Sequence, residues 1–186
     1  MEKFKTLLLL IYILTSAIVL GQTKKATTKK AKPEIDVLYE NYKNSKSITL
    51  YTSSGEITGG VIVEKNSENK PVSIKISGSS SNKNSVSEFI NNTIAMKKKQ
   101  GYKIYESSPY GIDYELEHSF QGKDGFHLVM KKGNMYFRSD ATRNSEIRVR
   151  ITGIGDRYDT ETNYTWEIET GDSSRKGGKE AKEFKF

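Results

Sequence analysis

Alternation of apolar and polar residues constrains the fold of this chain more than any other feature. Ile147, Val149 and Ile151 stand between polar neighbours, and residues 112–120 alternate in the same way. A period of two places successive side chains on opposite faces of a β-strand, so each such segment predicts a strand with one buried face. The chain contains no cysteine, so a hydrophobic core rather than disulfides has to hold these strands together.

Two segments with helical spacing interrupt the strand pattern. A short helix is predicted at residues 34–43, because Pro33 suits a first helical turn and the apolar residues that follow share one face. A longer helix is predicted at residues 86–100, where Ser85 and Glu88 form a capping-box pattern. Consecutive lysines near its negative C-terminal end are interpreted as helix termination rather than as a phosphate site.

The clearest hairpin is predicted between residues 112–120 and residues 126–132. Placing Phe120 opposite Phe126 aligns apolar residues with apolar residues along both strands, whereas a shift by one position would destroy the match. The tight turn at Gly133–Asn134 then leads into a third strand. This part of the sequence therefore predicts an antiparallel meander.

Further short strands complete a sheet that is mainly antiparallel. Their predicted ranges are Ser47–Thr52, Gly60–Lys65, Val72–Ser77, Tyr102–Glu106, Glu146–Ile154 and Tyr164–Glu169. Together the segments predict one α+β domain over residues 33–174, with about eight or nine short strands and the long helix packed on the sheet. A small closed β-barrel with a helix is the alternative.

The two ends of the chain differ from this domain in composition. Residues 1–21 combine a positive start, an apolar run and small residues near the cleavage point, which is the pattern of a signal peptide; a retained membrane anchor is the alternative. Residues 22–32 predict a basic disordered linker, because they contain no apolar residue larger than alanine. Residues 175–186 predict a basic tail whose alternating phenylalanines are compatible with an edge strand. No later segment is apolar enough to span a membrane.

Positive charge is concentrated in these ends rather than in the domain. The formal net charge is +7, yet residues 33–174 carry 18 basic and 20 acidic residues. A nucleic-acid-binding domain carries its lysines and arginines on the folded surface that meets phosphate, so no nucleic-acid partner is expected. Weak contact of the linker with an anionic surface is an alternative to a plain spacer, and it would use Lys24, Lys25, Lys29, Lys30 and Lys32.

The sequence predicts neither catalytic residues nor a metal or cofactor site. Asp113, Glu115 and Glu117 lie on one face of their predicted strand, but an exposed face opposite lysine indicates surface charge rather than acid–base chemistry. His118 falls on the dry face and His127 on the wet face of neighbouring predicted strands, so the two cannot share a zinc ion. Neither a cysteine nucleophile nor a serine elbow is present, and the glycines do not form a dinucleotide loop.

Tyrosines supply the remaining functional hint, because the chain contains 11 of them. Strand propensity explains most as cross-strand packing. The predicted pairing nevertheless places Tyr136 on the outer face together with Val129 and Arg138. This partly apolar patch is the candidate contact site for a protein or carbohydrate partner.

The sequence therefore predicts an exported, non-catalytic binding or interaction module, periplasmic or secreted, of a bacterial cell envelope. An envelope-associated hydrolase is the first alternative, and it would need a histidine, a carboxylate and a serine gathered in one pocket. A small outer-membrane β-barrel is the second alternative, although most predicted strands are shorter than the roughly 9–11 residues that such a barrel uses.

Overall fold

Three α-helices and seven β-strands make up the described part of the chain. The computed structural model describes residues 32–119, 125–152 and 155–176, and the side chains of residues 147–159 fall outside that description. The helices are α1 (Glu34–Tyr42), α2 (Lys83–Lys99) and α3 (Ile112–His118). The strands are β1 (Ser47–Thr52), β2 (Gly55–Lys65), β3 (Pro71–Ser80), β4 (Lys103–Ser107), β5 (Phe126–Lys132), β6 (Met135–Thr152) and β7 (Gly155–Asp172). A short 3-10 helix, Ser173–Arg175, follows β7.

All of these strands join one antiparallel sheet. Their order is β1-β2-β3-β7-β6-β5-β4, so β1 and β4 are the two edges of the described sheet. The predicted α+β class is confirmed. The closed-barrel alternative is wrong, because a closed sheet would pair its two edge strands.

Two strands are longer than the alternation pattern predicts. β6 and β7 pair along 18 residues each. β3 accompanies β7 only as far as Tyr164, and β5 accompanies β6 only as far as Ala141, so the far part of this hairpin extends beyond its neighbours. The predicted strands at Glu146–Ile154 and Tyr164–Glu169 are therefore parts of longer strands. Seven strands consequently replace the predicted eight or nine in the described sheet.

Residues 112–118 form α3, so the predicted strand here and its pairing with residues 126–132 are wrong. Ile112 and Leu116 also fit the helical period, because residues four apart lie on one side of a helix. Both side chains are buried. β5 pairs with β4 on one side, through Met130 opposite Ile104, and with β6 on the other. No side of β5 is left for residues 112–118. Phe120 lies outside the described residues.

The short helix is found as predicted, whereas the long helix begins at Lys83 with a different cap. Asn82 is the N-cap, and its side chain accepts a hydrogen bond from the Ser85 N–H over 3.1 Å. Glu88 does not complete a capping box. Its carboxylate accepts hydrogen bonds from the main-chain N–H and the hydroxyl of both Ser53 and Ser54, in the β1–β2 turn. These bonds, led by that of the Ser53 N–H, lower the pKa of Glu88 from 4.5 to about 2.

The hydrophobic core lies between the helices and one face of the sheet, which we call the covered face. Its strand residues are Ile57, Ile74, Ile76, Phe126, Leu128, Met130, Phe137, Ala141 and Trp166, and its helix residues are Ile35, Val86, Ile90, Ile112 and Leu116. Trp166 is 2% exposed and meets Phe89 edge-on, with ring centroids 5.1 Å apart. A Cβ at Gly59 would lie 2.7 Å from the indole and one at Gly78 would lie 3.0 Å from it. These two glycines therefore leave the space that Trp166 fills.

The end of the described chain is fastened to α1 and β3. Arg175 donates to both carboxylate oxygens of Asp36, over 2.5 and 3.0 Å, and to the Pro71 carbonyl over 3.2 Å. The hydrogen bond from Arg175 holds the pKa of Asp36 below its usual value.

The predicted signal peptide, most of the linker and the tail beyond Lys176 lie outside the described residues. The described residues all belong to one compact unit. None of the described helices has the length and apolar character needed to cross a membrane.

Candidate functional site

The face of the sheet opposite the core is not covered by any described helix, and we call it the open face. Strand register assigns its residues to alternate positions on neighbouring strands. They are Thr58, Gly60, Ile62 and Glu64 on β2, Ser73, Lys75, Ser77 and Ser79 on β3, Thr165, Glu167, Glu169 and Gly171 on β7, Tyr136, Arg138, Asp140 and Thr142 on β6, and His127, Val129 and Lys131 on β5.

Tyr136 crosses the open face above a glycine. A Cβ at Gly171 would lie 2.5 Å from the Tyr136 hydroxyl oxygen, so glycine at this position lets the ring lie across the sheet. The hydroxyl donates to the Glu169 carboxylate over 2.5 Å, and the neighbouring Ser73 is fully buried. Burial, and then the hydrogen bond to Glu169, raise the pKa of Tyr136, so the phenol stays protonated.

Ion pairs occupy the middle of the open face. Lys75 Nζ lies 3.0 Å from Glu167 Oε1, and this hydrogen-bonded contact raises the pKa of Lys75. Arg138 Nε donates to Asp140 over 2.7 Å. In register, Lys75, Glu169 and Arg138 form one row across the strands, and Glu167 and Asp140 form the next. The centre of the face therefore presents both signs of charge at short intervals.

His127 joins this network from β5. Its Nδ1 lies 2.6 Å from Asp140 Oδ1, and its Nε2 lies 3.9 Å from Glu106 Oε1. The imidazole is therefore partly exposed and lies between two carboxylates.

Ser108 lies beside this histidine but contacts its main chain. The Ser108 hydroxyl accepts a hydrogen bond from the His127 N–H over 2.7 Å and lies 3.3 Å from the His127 carbonyl oxygen. The imidazole contacts Asp140 and Glu106 instead. Ser108 therefore does not make the serine–imidazole contact that a hydrolase nucleophile needs.

The predicted contact patch of Val129, Tyr136 and Arg138 lies on the open face but is not an apolar surface. Val129 and Arg138 are opposite each other in register. Val129 is 4% exposed, Tyr136 is half-buried with its hydroxyl on Glu169, and Arg138 is exposed. Arg138 is therefore the residue of this patch that offers a partner charge and hydrogen bonding, and the role of all three residues in binding stays a prediction.

Helix α3 places the predicted acidic residues and His118 differently from the expected strand. Asp113 accepts a hydrogen bond from Ser87 of α2, so it links two helices. His118 is exposed and stacks on Tyr114, with ring centroids 4.1 Å apart. The prediction that His118 lies on a dry strand face is wrong, whereas His127 does lie on the uncovered face of the sheet.

A buried lysine is a charged group whose burial the sequence pattern does not predict. Lys97 is 5% exposed, and its Nζ lies 3.3 Å from Glu34 and 4.7 Å from the Tyr102 ring centre. Burial lowers the pKa of Lys97, and the carboxylate of Glu34 opposes that shift. The signal in the sequence is the stripe of α2, because Lys97 continues the positions of Ile90 and Thr93. Its contact with Glu34 ties α1 to α2.

Within the described ranges, no three histidine, aspartate or glutamate side chains gather closely enough to hold a metal ion. Of the five lysines predicted to meet an anionic surface, Lys32 alone falls inside those ranges. No protein-family model, curated protein or solved structure matches the chain. The interpretation of the open face therefore rests on its geometry and charge.

Proposed function

We propose that the chain is an exported, non-catalytic binding module that holds a protein partner on the open face of its sheet. The supporting observation is that the core lies on one face while charged side chains of both signs occupy the middle of the other. Complementary charges steer association and select among partners. Export rests on the signal-peptide pattern of residues 1–21.

The chemistry of the open face favours a protein over a neutral carbohydrate. Its centre presents the pairs Lys75–Glu167 and Arg138–Asp140, whose charges a peptide can match with its own side chains. A partner that binds here separates these ion pairs, and a neutral sugar has no charge that could replace the lost contacts. The aromatic residue of this region, Tyr136, already has its hydroxyl bonded to Glu169.

A hydrolase is the second candidate, because Asp140 orients His127 as a general base is oriented. Hydrolytic activity of the purified chain that disappears in His127→Gln, with its fold unchanged by circular dichroism, would favour this candidate. Activity unaffected by that substitution would show that His127 is not the general base.

Native mass spectrometry of the protein recovered from its native compartment tests the proposal. The chain is purified without tags, and we expect an N-terminus at Gln22 and a retained protein partner. A full-length N-terminus in the cytosol would contradict export, and a bare chain under all conditions would contradict stable binding.

A charge swap then asks whether the open face holds the partner. The double variant Lys75→Glu/Glu167→Lys keeps the ion pair but reverses its direction, so we expect about tenfold weaker binding with little loss of stability. Glu40→Lys/Lys43→Glu swaps an exposed ion pair at the end of α1 without changing the net charge, so it is the matched control and should bind as the parent does. Equal binding by the swapped and parent chains would place the partner elsewhere.

A further inference from the structure

The two edges of the sheet are protected to different degrees. β4 contains a bulge between Ile104 and Glu106, and it carries two charged residues, Lys103 and Glu106. Bulges and charges on an edge strand hinder pairing with another chain. β1 instead pairs with β2 in unbroken register along its whole length, and it contains no charged residue and no proline. β1 therefore has the features of an edge that accepts another strand.

Alternate residues of β1 turn their backbone groups away from the sheet. The Val61 N–H donates to the Lys46 carbonyl over 2.9 Å, so the even-numbered residues of this strand exchange hydrogen bonds with β2. The N–H and C=O groups of Ser47, Thr49 and Tyr51 consequently point outward. Among the described residues, no strand lies on that side of β1.

We propose that β1 pairs antiparallel with β1 of a second copy of this chain, about a two-fold axis at Thr49. Outward groups have to meet outward groups, so odd-numbered residues face odd-numbered residues. The register centred on Thr49 places Ser47 opposite the second copy's Tyr51 and Ile48 opposite the second copy's Leu50. No like charges meet, because β1 carries none. This inference does not depend on the proposed function.

The surroundings of β1 favour a second copy as the occupant and Thr49 as the centre. Tyr51 is 68% exposed in the single chain. Gly60 lies opposite Ser47 on β2, and a Cβ at Gly60 would meet no atom closer than 3.9 Å. In the proposed pairing, the second copy's Tyr51 lies over Ser47 and the open space at Gly60. A register centred on Leu50 would place that tyrosine opposite Thr49 instead.

A related arrangement is present on the covered face. Trp166 lies across Gly78 on the neighbouring strand and Gly59 on the next strand along. In the proposed dimer, the second copy's Tyr51 crosses Ser47 on the neighbouring strand and, like Trp166, reaches a glycine, Gly60, on the next strand along. Ile62, an exposed residue two positions from Gly60 on β2, extends the apolar surface that the tyrosine meets.

Charges placed at Thr49 test both the association and its register. Thr49→Lys and Thr49→Glu each put like charges opposite one another, so we expect the dissociation constant of the dimer to rise about tenfold or more. Mixing the two variants should restore association. Sedimentation velocity on residues 22–186 measures the dissociation constant of the dimer. Protein concentrations up to about 1 mM are needed, because the pairing of two edge strands buries less area than a standard interface and is expected to be weak. A monomeric parent overturns the proposal, and a mixture that stays monomeric overturns the register.

Thr49→Cys gives an independent covalent readout, because the chain has no other cysteine. Cα atoms of a hydrogen-bonded antiparallel pair lie about 5.5 Å apart, within the range of a disulfide. We expect oxidation to cross-link Thr49→Cys but not the matched β4 variant Ser107→Cys. Cross-linking of Ser107→Cys alone, or of neither variant, overturns the proposal.

The chain's own C-terminal tail, residues 177–186, is the alternative occupant of this edge. A shortened chain distinguishes the tail from a second copy. Ending the chain after Lys176 should leave the dissociation constant of the dimer unchanged within about twofold. A protein that is monomeric until the tail is removed would show that the tail occupies β1, and it would overturn the proposed dimer.

Discussion

The two faces of the sheet each lay an aromatic ring across a glycine, but they surround it with different chemistry. On the covered face, Trp166 lies across Gly78 inside the hydrophobic core. On the open face, Tyr136 lies across Gly171, and its hydroxyl is bonded to Glu169 among ion pairs. The difference indicates that burial on the covered face holds the fold together. The charges of the open face, which we propose to hold a partner, then contribute little to stability.

Truncation of Trp166 is expected to have the largest effect. Trp166→Ala should cost about 3–5 kcal/mol of unfolding free energy, because the side chain is fully buried in the core. Tyr136→Ala on the open face should cost about 1–2 kcal/mol, because its ring is only half-buried. Urea unfolding followed by circular dichroism measures both, since Trp166 is the only tryptophan and fluorescence would be lost. Equal costs would contradict the division between the faces.

Alanine at the two glycines sharpens the comparison. A Cβ at Gly78 would lie 2.3 Å from the Thr58 carbonyl oxygen, whereas the three atoms nearest to a Cβ at Gly171 all belong to the Tyr136 side chain. Because backbone cannot move aside easily, we expect Gly78→Ala to cost about 2–3 kcal/mol and Gly171→Ala about 1 kcal/mol. In a Tyr136→Ser background, Gly171→Ala should lose most of its cost in unfolding free energy. Strictly additive costs would show that the ring does not lie across this glycine.

The Glu88 contact predicts a pH dependence of stability. The pKa of Glu88 is about 2 in the folded chain against 4.5 ordinarily, so its stabilising contribution is present above pH 4.5 and is lost as the pH falls toward 2. Glu88→Gln should therefore lower Tm at pH 6 and approach the parent near pH 2. Glu117→Gln, on the exposed side of α3, is the control. A Tm difference that does not change with pH would exclude this mechanism.

Neutralising one ion pair of the open face is expected to have the smallest effect. Lys75→Gln/Glu167→Gln should change the unfolding free energy by less than about 1 kcal/mol, because partly exposed ion pairs contribute little. Urea unfolding at low and high salt measures this change in unfolding free energy. A cost near that of Trp166→Ala would mean that the open face also holds the fold together.

The sequence predicts the strands best where pairing alone decides the structure. β1 is found at Ser47–Thr52, as predicted, and the turn at Gly133 leads into β6. The prediction fails at residues 112–118, because Ile112 and Leu116 fit both a strand and a helix. Only the pairing of β4 with β5 decides between the two, and that pairing joins residues far apart in the chain.

The candidate site is harder to predict because its contacts cross between strands and helices. Glu88 fits a local capping box, yet its partners Ser53 and Ser54 belong to a hairpin more than 30 residues earlier. His127 and Asp140 meet because β5 and β6 pair in one particular register. Residue type alone shows none of these contacts. The sequence therefore placed Val129, Tyr136 and Arg138 on one outer face without showing the ion pairs around them, and their role in binding stays a prediction.

One variant, measured in two ways, tests the division between the faces most directly. It combines Lys75→Gln, Arg138→Gln, Asp140→Asn and Glu167→Gln, and so removes the central charges of the open face. We expect its unfolding free energy to stay within about 2 kcal/mol of the parent, while the protein partner is lost from the native mass spectrum. A partner retained as in the parent, or a loss of stability as large as that of Trp166→Ala, would contradict the account.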